Sequence, residues 1–286
     1  MAIDWKLNNL YIISYKRPEC ITARMLEKMG WPEEHWHIMC EDDDPTLDEY
    51  RKKWGKHVLT FPIADYLETT DYLDNAGTSL PHGAAPVRNA VIKYSHDHGE
   101  QRHWQMDDDY DDIRRTIFKD GQPVTESCKT FSEVMQYMSQ IADIGEKARI
   151  PVTGGTVASK MYPNEYNQWS VKVFSLFNID SNGLDPIWRG RLSDDTINCL
   201  DVLNSSRPTE LIFKCLSVNT APTQTNEGGL TEFYKQTGSI RKIAYALMIN
   251  PIAVQPNMQF GRIHCTVYTE KYAPKWINPD DVKPTE

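Results

Sequence analysis

The chain has 286 residues, enough for one large core or for a core with an appendage. Its formal charge is −9 and its pI is near 5.4, which argues against a protein whose main business is coating nucleic acid, because phosphate neutralisation needs clustered Lys and Arg. Small basic groups (Arg51-Lys52-Lys53, Lys147 with Arg149, Arg189 with Arg191, Arg241-Lys242) leave room for a local basic cleft, although such groups most often sit on a solvated surface.

No apolar stretch approaches the length of a membrane span. The segment Met1-Ala2-Ile3-Asp4-Trp5-Lys6 lacks the basic-then-apolar order of a secretion signal. The six cysteines (20, 40, 128, 199, 215, 265) form no C-x-x-C pair, so neither a zinc knuckle nor a redox motif is written here. Reduced thiols in a cytoplasm are expected.

Asn9 to Ser14 (N-L-Y-I-I-S) is a short apolar run, read as a buried strand that stops at Tyr15-Lys16-Arg17-Pro18. Ile21, Met25, Leu26 and Met29 mark one helical face, which Gly30 closes. Trp36 to Cys40 is a second strand, running into Glu41-Asp42-Asp43-Asp44-Pro45, with the last two acids expected in solvent. The pattern continues with a helix at Asp48–Trp54, a strand at Val58–Phe61 and a loop over Thr69–Pro86. A helix at Val87–His98 is ended by Gly99, and a short strand follows at Trp104–Met106. Thr130 and Glu133 form a capping box ahead of Phe131, Val134, Met135, Met138 and Ile141, an amphipathic helix.

Further on, Gly154-Gly155 reads as a loop open to close approach by a ligand. Val171 to Ile179 is expected as a long central strand, Thr196–Leu203 as a helix and Glu210–Val218 as a strand. Ile240–Met248 reads as a helix, Arg262–Tyr268 as a last strand, and Ala273–Glu286 as an extended tail. One α/β domain with a mixed sheet is expected, with polar residues gathered where the early strands end. In parallel α/β sheets that edge binds ligands.

The run His103 to Asp112, H-W-Q-M-D-D-D-Y-D-D, carries most of the chemistry. Acids at i and i+2 of an extended chain project to one side, so Asp107 and Asp109 can face one ion, and a hard divalent cation wants such oxygens. An acidic turn in solvent is the plainer alternative. At the first strand's end, Tyr15 can stack on a base and Arg17 can grip phosphate. Glu41 and Asp42 can accept from a base N–H or a ribose hydroxyl. Arg88-Asn89 opens a helix, where anions are favoured. Asp194-Asp195 precedes the Thr196 helix; one acid can cap it, and the other can serve as a general base. His264, in the last strand, is either structural or a third metal ligand.

In this order the residues resemble the GT-A class of nucleotide-sugar glycosyltransferases. The phrasing I-I-S-Y-K-R-P, then T-A-R-M-L-E-K-M-G-W, Q-M-D-D-D-Y-D-D-I and L-S-D-D-T, is similar to the phage TET-associated glycosyltransferases, over roughly residues 9 to 270. The resemblance implies a GT-A-like single domain: a Rossmann-like N-terminal half (about 9–120) that binds the donor, an acceptor-binding half (about 121–272) and a tail (273–286). It implies a donor site at Ser14, Tyr15, Arg17, Glu41, Asp42, Arg88, Asn89 and Asp108. It further implies Mn²⁺ or Mg²⁺ on Asp107 and Asp109 with His264, and Asp195 or Asp194 at the acceptor, with Asp195 as the expected base. The implied reaction moves glucose or a pentose such as arabinose from a uridine-diphosphate sugar to 5-hydroxymethylcytosine in phage DNA, in the host cytoplasm.

Two other readings share the same acids. A GT-A enzyme acting on a small molecule, glycan or protein needs a tight acceptor pocket without a basic groove. A metal-dependent nucleotidyltransferase needs a further acid beside Asp107 to hold a second metal.

Overall fold

The apolar run ahead of Ser14 becomes β1 (Leu10–Ile13), a strand buried at every residue. Its side chains alternate between two cores, as a pleated strand requires. Leu10 and Ile12 pack in a cluster with Met25, Leu26, Val134 and Met138, while Tyr11 and Ile13 pack with Val87, Ala90 and Val91. Helices therefore cover both faces, which is why this strand is apolar throughout rather than alternating. The computed structural model describes residues 7–72, 81–160, 168–169, 172–173, 175–182, 188–204, 210–220, 228–238, 240–259 and 262–268.

The N-terminal half alternates strand and helix: β1, α1 (Ile21–Lys28), β2 (Trp36–Glu41), α2 (Leu47–Trp54), β3 (Val58–Phe61), α3 (Ala85–Asp97) and β4 (Arg102–Asp107). Next come β5 (Tyr110–Lys119), β6 (Gln122–Ser127), α4 (Phe131–Lys147), β7 (Val152–Val157), β8 (Gln168–Trp169) and β9 (Phe177–Asp180). The chain continues through α5 (Asp194–Asn204), β10 (Leu211–Thr220), α6 (Thr231–Thr237), α7 (Ile240–Ile249), β11 (Val254–Gln259) and β12 (Arg262–Val267).

The main sheet runs β3-β2-β1-β4-β9-β7-β10-β5-β6, with β8 paired to β10. From β3 to β4 all pairings are parallel, and β9 then runs antiparallel to both β4 and β7. The fold is thus mixed α/β with a Rossmann-like N-terminal half. Strand order reverses at β1, with β2 on one side and β4 on the other, so a crevice opens where β1 and β4 end. The β11–β12 hairpin forms a separate two-stranded sheet and shares a core with α5 and α7 through Leu200, Tyr245, Ala246 and Val254. Among the described residues no helix is long and apolar enough to cross a membrane.

Several elements differ from expectation. The hairpin β5–β6 gave no clean apolar alternation, because half-buried positions carry paired charges such as Arg115 with Glu126 and with Glu133 of α4. Its turn was nevertheless written as Asp120-Gly121, both residues at positive φ (52° and 76°), the two-residue turn whose twist suits a hairpin. Among the described residues of the strand expected at Val171–Ile179, only the last three are strand, as part of β9. Upstream, the Val173 amide donates to the Glu210 side chain at 2.7 Å instead of joining a ladder. Gly154 and Gly155 are not in a loop but inside β7. A Cβ on Gly154 would run into the Leu176 carbonyl, and one on Gly155 would lie 2.7 Å from the Leu216 carbonyl, so both glycines serve close packing of the backbone. The tail at Ala273–Glu286 lies outside the described residues.

Candidate functional site

Because β1, β2 and β4 are parallel, their carboxyl ends share one edge of the sheet. A cleft of about 230 Å³ opens there. Ser14, Tyr15 and Arg17 enter it from the end of β1, Glu41 from β2, and Asp107, Asp108 and Asp109 from β4. Pro81 to Ala84 and Arg88 approach from the start of α3, Asp194 from the start of α5, and Gly229 and Leu230 from just before α6.

The three consecutive aspartates are not equivalent. β4 ends at Asp107 and the chain turns at Asp108–Asp109, so Asp107 and Asp109 reach the cleft through a turn rather than along an extended strand. Thr22 on α1 fixes that turn: its hydroxyl donates to the Asp107 carbonyl at 2.6 Å and accepts from the Tyr110 amide at 2.9 Å. Asp108 is buried and saturated. It accepts from Arg17 Nη1 at 2.8 Å and from the Ser14 hydroxyl at 2.6 Å, and Tyr50 OH closes the ring by contacting Ser14 at 2.5 Å and accepting from the Arg17 amide. Asp108 and Ser14 therefore shape the loop that presents Tyr15 and Arg17. Gly228 and Gly229 brace the same loop from the C-terminal half, with the Gly229 amide on the Tyr15 carbonyl at 3.3 Å.

Asp107 is held differently. Arg88 Nη2 donates to its Oδ1 at 3.0 Å, and Tyr110 OH lies 3.1 Å from its Oδ2. Arg88 is itself buried and reaches Asp194 Oδ2 through Nε at 2.7 Å. One guanidinium thus joins the acid at the end of β4 to the acid at the start of α5. Burial pushes both carboxyls above their ordinary range, against the pull of Arg88.

Asp109 forms no ion pair among the described residues. Burial, with Asp107 and Asp108 alongside, raises it to about 7. Glu41 is raised to about 8 by burial and by Asp43, Asp44 and Asp42. The edge thus gathers more carboxylates than cations among the described residues. Both groups ionise at higher pH in the fold than in the unfolded chain. Their contribution to stability is therefore full below about pH 4 and is lost as pH rises through about 7 to 8. We expect the ion-free protein to lose melting temperature from pH 6 to pH 8.5, and added Mn²⁺ to restore more of it at the higher pH. A Mn²⁺ effect independent of pH would refute this.

Other expected site residues lie elsewhere or are otherwise engaged. Asp42 is exposed and caps the turn after β3, accepting from the Ile63 amide at 3.0 Å. Asp44, expected in solvent, is buried and accepts from the Lys16 and Thr46 amides. Asn89 clamps the Trp188 backbone in both directions, at 2.6 and 2.9 Å, so its amide is spent on the fold. Asp195 is not among the described residues lining the cleft: its Oδ2 pairs with Lys172 at 2.6 Å, and its Oδ1 accepts from the Thr196 amide at 2.7 Å. Burial works against its ionised form, but Lys172 and Lys242 more than offset this and hold it below the ordinary range. The positions of the acid pair are thus the reverse of expectation, with Asp194 in the cleft and Asp195 tied to the helix start. His264 sits in β12, opposite Asn257, and does not line the cleft. No group of three His, Cys, Asp or Glu side chains is gathered for a metal among the described residues.

Sequence reasoning missed Thr22, Tyr50, Tyr110, His82 and Gly83. Gly83 alone carried a signal, as a glycine just before a helix. It sits at φ 77°, and a Cβ there would run into the Arg191 carbonyl. His82 enters the cleft with Nδ1 2.8 Å from Tyr72 OH.

The family described as TET-Associated Glycosyltransferase matches residues 8–229. No curated protein matches the chain. Among solved structures, one similar chain is a CMP:2-keto-3-deoxy-manno-octonic acid synthetase in complex with CTP. Identity is 9%, the match covers 83% of this chain and 98% of that one, and the TM-score is 0.38. Another is a mannose-1-phosphate geranyltransferase from Thermus thermophilus, at 8% identity and TM-score 0.32, covering 85% of this chain and 64% of that one.

Proposed function

The chain belongs to the TET-associated glycosyltransferase family, and from that premise we propose that it transfers a sugar from a uridine-diphosphate donor to the hydroxymethyl group of 5-hydroxymethylcytosine in DNA. The observation that carries this reading is the cleft at the ends of β1, β2 and β4, where Arg17, Asp107, Asp109 and Asp194 converge. Nucleotide-bearing ligands bind at this edge of such sheets. Phage DNA in the host cytoplasm is the setting this reading implies.

Tyr15 and Glu41 flank the base and ribose in this reading. Tyr15 offers a half-buried ring, and the raised Glu41 carboxyl can donate as well as accept a hydrogen bond. Arg17, steadied by Asp108, faces the diphosphate. Asp107 and Asp109 would hold Mn²⁺ or Mg²⁺, which when bound neutralises diphosphate charge as the leaving group departs. The raised Asp109 fits that role, since an ion relieves the repulsion it bears. His264 takes no part.

In this reading Asp194, which lines the cleft, takes the acceptor proton. The acceptor hydroxyl oxygen bonds to the anomeric carbon while the bond from that carbon to the diphosphate oxygen breaks. The hydroxyl proton passes to Asp194, whose burial favours the protonated form. A carboxylate placed this way suits inversion at the anomeric carbon.

The net charge of −9 is compatible with DNA as a transient substrate, because a few basic side chains can position phosphates without strong binding. The decisive experiment is a panel of uridine-diphosphate sugars with hydroxymethylated duplex DNA, read by nucleoside mass spectrometry. One sugar should label hydroxymethylcytosine, unmodified cytosine DNA should stay inert, and labelling should fall roughly tenfold or more between about 50 and about 200 mM salt. Equal labelling of both DNAs, or labelling only of a protein or glycan, would replace this acceptor with another.

A further inference from the structure

Arg88 was expected at the donor, as a cation near a helix N-terminus. Its surroundings leave little for a ligand to take. The side chain is 4% exposed, with Nη2 on Asp107 at 3.0 Å and Nε on Asp194 at 2.7 Å. Nη1 lies 3.4 Å from Gln105 Oε1, and Gln105 Nε2 donates back to the Arg88 carbonyl at 3.2 Å. The guanidinium carbon lies 4.5 Å from the centre of the Phe177 ring and 4.9 Å from that of Trp188. Asn89, the next residue, holds the Trp188 backbone from both sides. The planar fork is thus held by acceptors at its nitrogens, and the Phe177 and Trp188 rings, 5.2 Å apart, pack together to one side of it. Those contacts come from β4, β9, Trp188 in the segment before α5, and α5 itself, and so join the Asp107 and Asp194 sides of the cleft.

We propose that Arg88 is a positioning residue that sets the spacing between Asp107 and Asp194, making the donor-side and acceptor-side carboxylates one rigid unit, and that it does not itself bind the donor. This rests on the reading above, in which Asp107 faces the diphosphate and Asp194 the acceptor. The physical reason is geometric. Two carboxylates on opposite walls repel and would drift apart, and a single ammonium cannot span both in fixed directions as a guanidinium does. Transfer needs the acceptor oxygen and the anomeric carbon aligned within a fraction of an ångström, so a loosened Asp194 lowers turnover even when the donor still binds.

The test compares Arg88→Lys with wild type in two assays on the full chain: binding of UDP with Mn²⁺ by calorimetry, and transfer to hydroxymethylated DNA. The lysine keeps the charge but not the bridge. We expect UDP affinity within about threefold of wild type and kcat reduced about a hundredfold, with little change in donor KM. The double variant Arg88→Lys/Asp194→Asn should be no slower than Asp194→Asn alone, since Arg88 acts through Asp194. A merely structural role would not produce that non-additivity. If Arg88→Lys does not fold, Phe177→Leu removes one ring and leaves the cation, and should show the same split to a smaller degree. Loss of UDP affinity matching the loss of turnover would overturn the inference, and so would full multiplication of the two single effects. Inactivity of wild type on hydroxymethylated DNA would instead overturn the acceptor. Arg88 is then judged on the binding assay, where retained affinity supports it and lost affinity refutes it.

Discussion

Replacing Asp109 by Ala is expected to lower turnover by about 10³-fold or more while leaving the melting temperature unchanged or slightly raised. The two effects have opposite signs for one reason. In the ion-free fold, Asp109 is a carboxylate pressed against Asp107 and Asp108, which with burial lifts it to about 7. Removing it relieves repulsion and breaks no ion pair among the described residues. In the proposed loaded enzyme the same carboxylate would help hold an ion, whose charge would offset that of the leaving diphosphate. Such neutralisation is worth several kcal/mol, and about 1.4 kcal/mol is tenfold in rate. Calorimetry should show Mn²⁺ affinity lost in the variant, and added Mn²⁺ should no longer raise its melting temperature. Asp108→Asn makes the contrast, because it removes the charge that Arg17 pairs with and turns one of the two oxygens serving Arg17 and Ser14 into an amide donor, and so should lower stability directly. Undiminished wild-type transfer in excess chelator would remove the ion, and with it this role for Asp109.

The N-terminal half was legible because its signals are local. Apolar runs of strand length stop at proline, glycine or acid clusters, and β1, β2 and β3 lie within a residue or so of where those stops put them. The capping box at Thr130 and Glu133 likewise fixed the start of α4. What could not be read depends on distant partners. Val173 looks like strand until Glu210 takes its amide, and Gly154-Gly155 looks like a ligand loop until the Leu176 and Leu216 carbonyls are seen against them. The same holds within the site. The sequence places Asp107, Asp108 and Asp109 side by side but does not say which is saturated, since that depends on Ser14, Arg17 and Tyr50, 33 to 94 residues away from their partners. Nor does it separate Asp194 from Asp195, because Arg88 and Lys172, which pull them apart, come from different parts of the chain.

That separation yields the other large effect. Asp194→Asn keeps the size of the side chain and one acceptor oxygen for Arg88 Nε, but it cannot take a proton. Loss of a positioned general base costs about 10²- to 10⁴-fold, and kcat should fall by that amount while UDP affinity stays near wild type. Asp195→Asn should behave in the opposite way. Its carboxylate neutralises Lys172 and accepts from the Thr196 amide at the start of α5, so the variant takes this carboxylate away from a half-buried ammonium. That should lower stability by roughly 1–3 kcal/mol, with the solvent-facing part of the pair keeping the loss below that of a fully buried one. Turnover measured well below the melting temperature should fall by less than about tenfold. Denaturant midpoints and single-turnover rates on both variants decide the assignment. If Asp195→Asn abolishes transfer at full stability while Asp194→Asn transfers normally, the proton goes to Asp195. The Lys172 pair would then have to open when the acceptor binds.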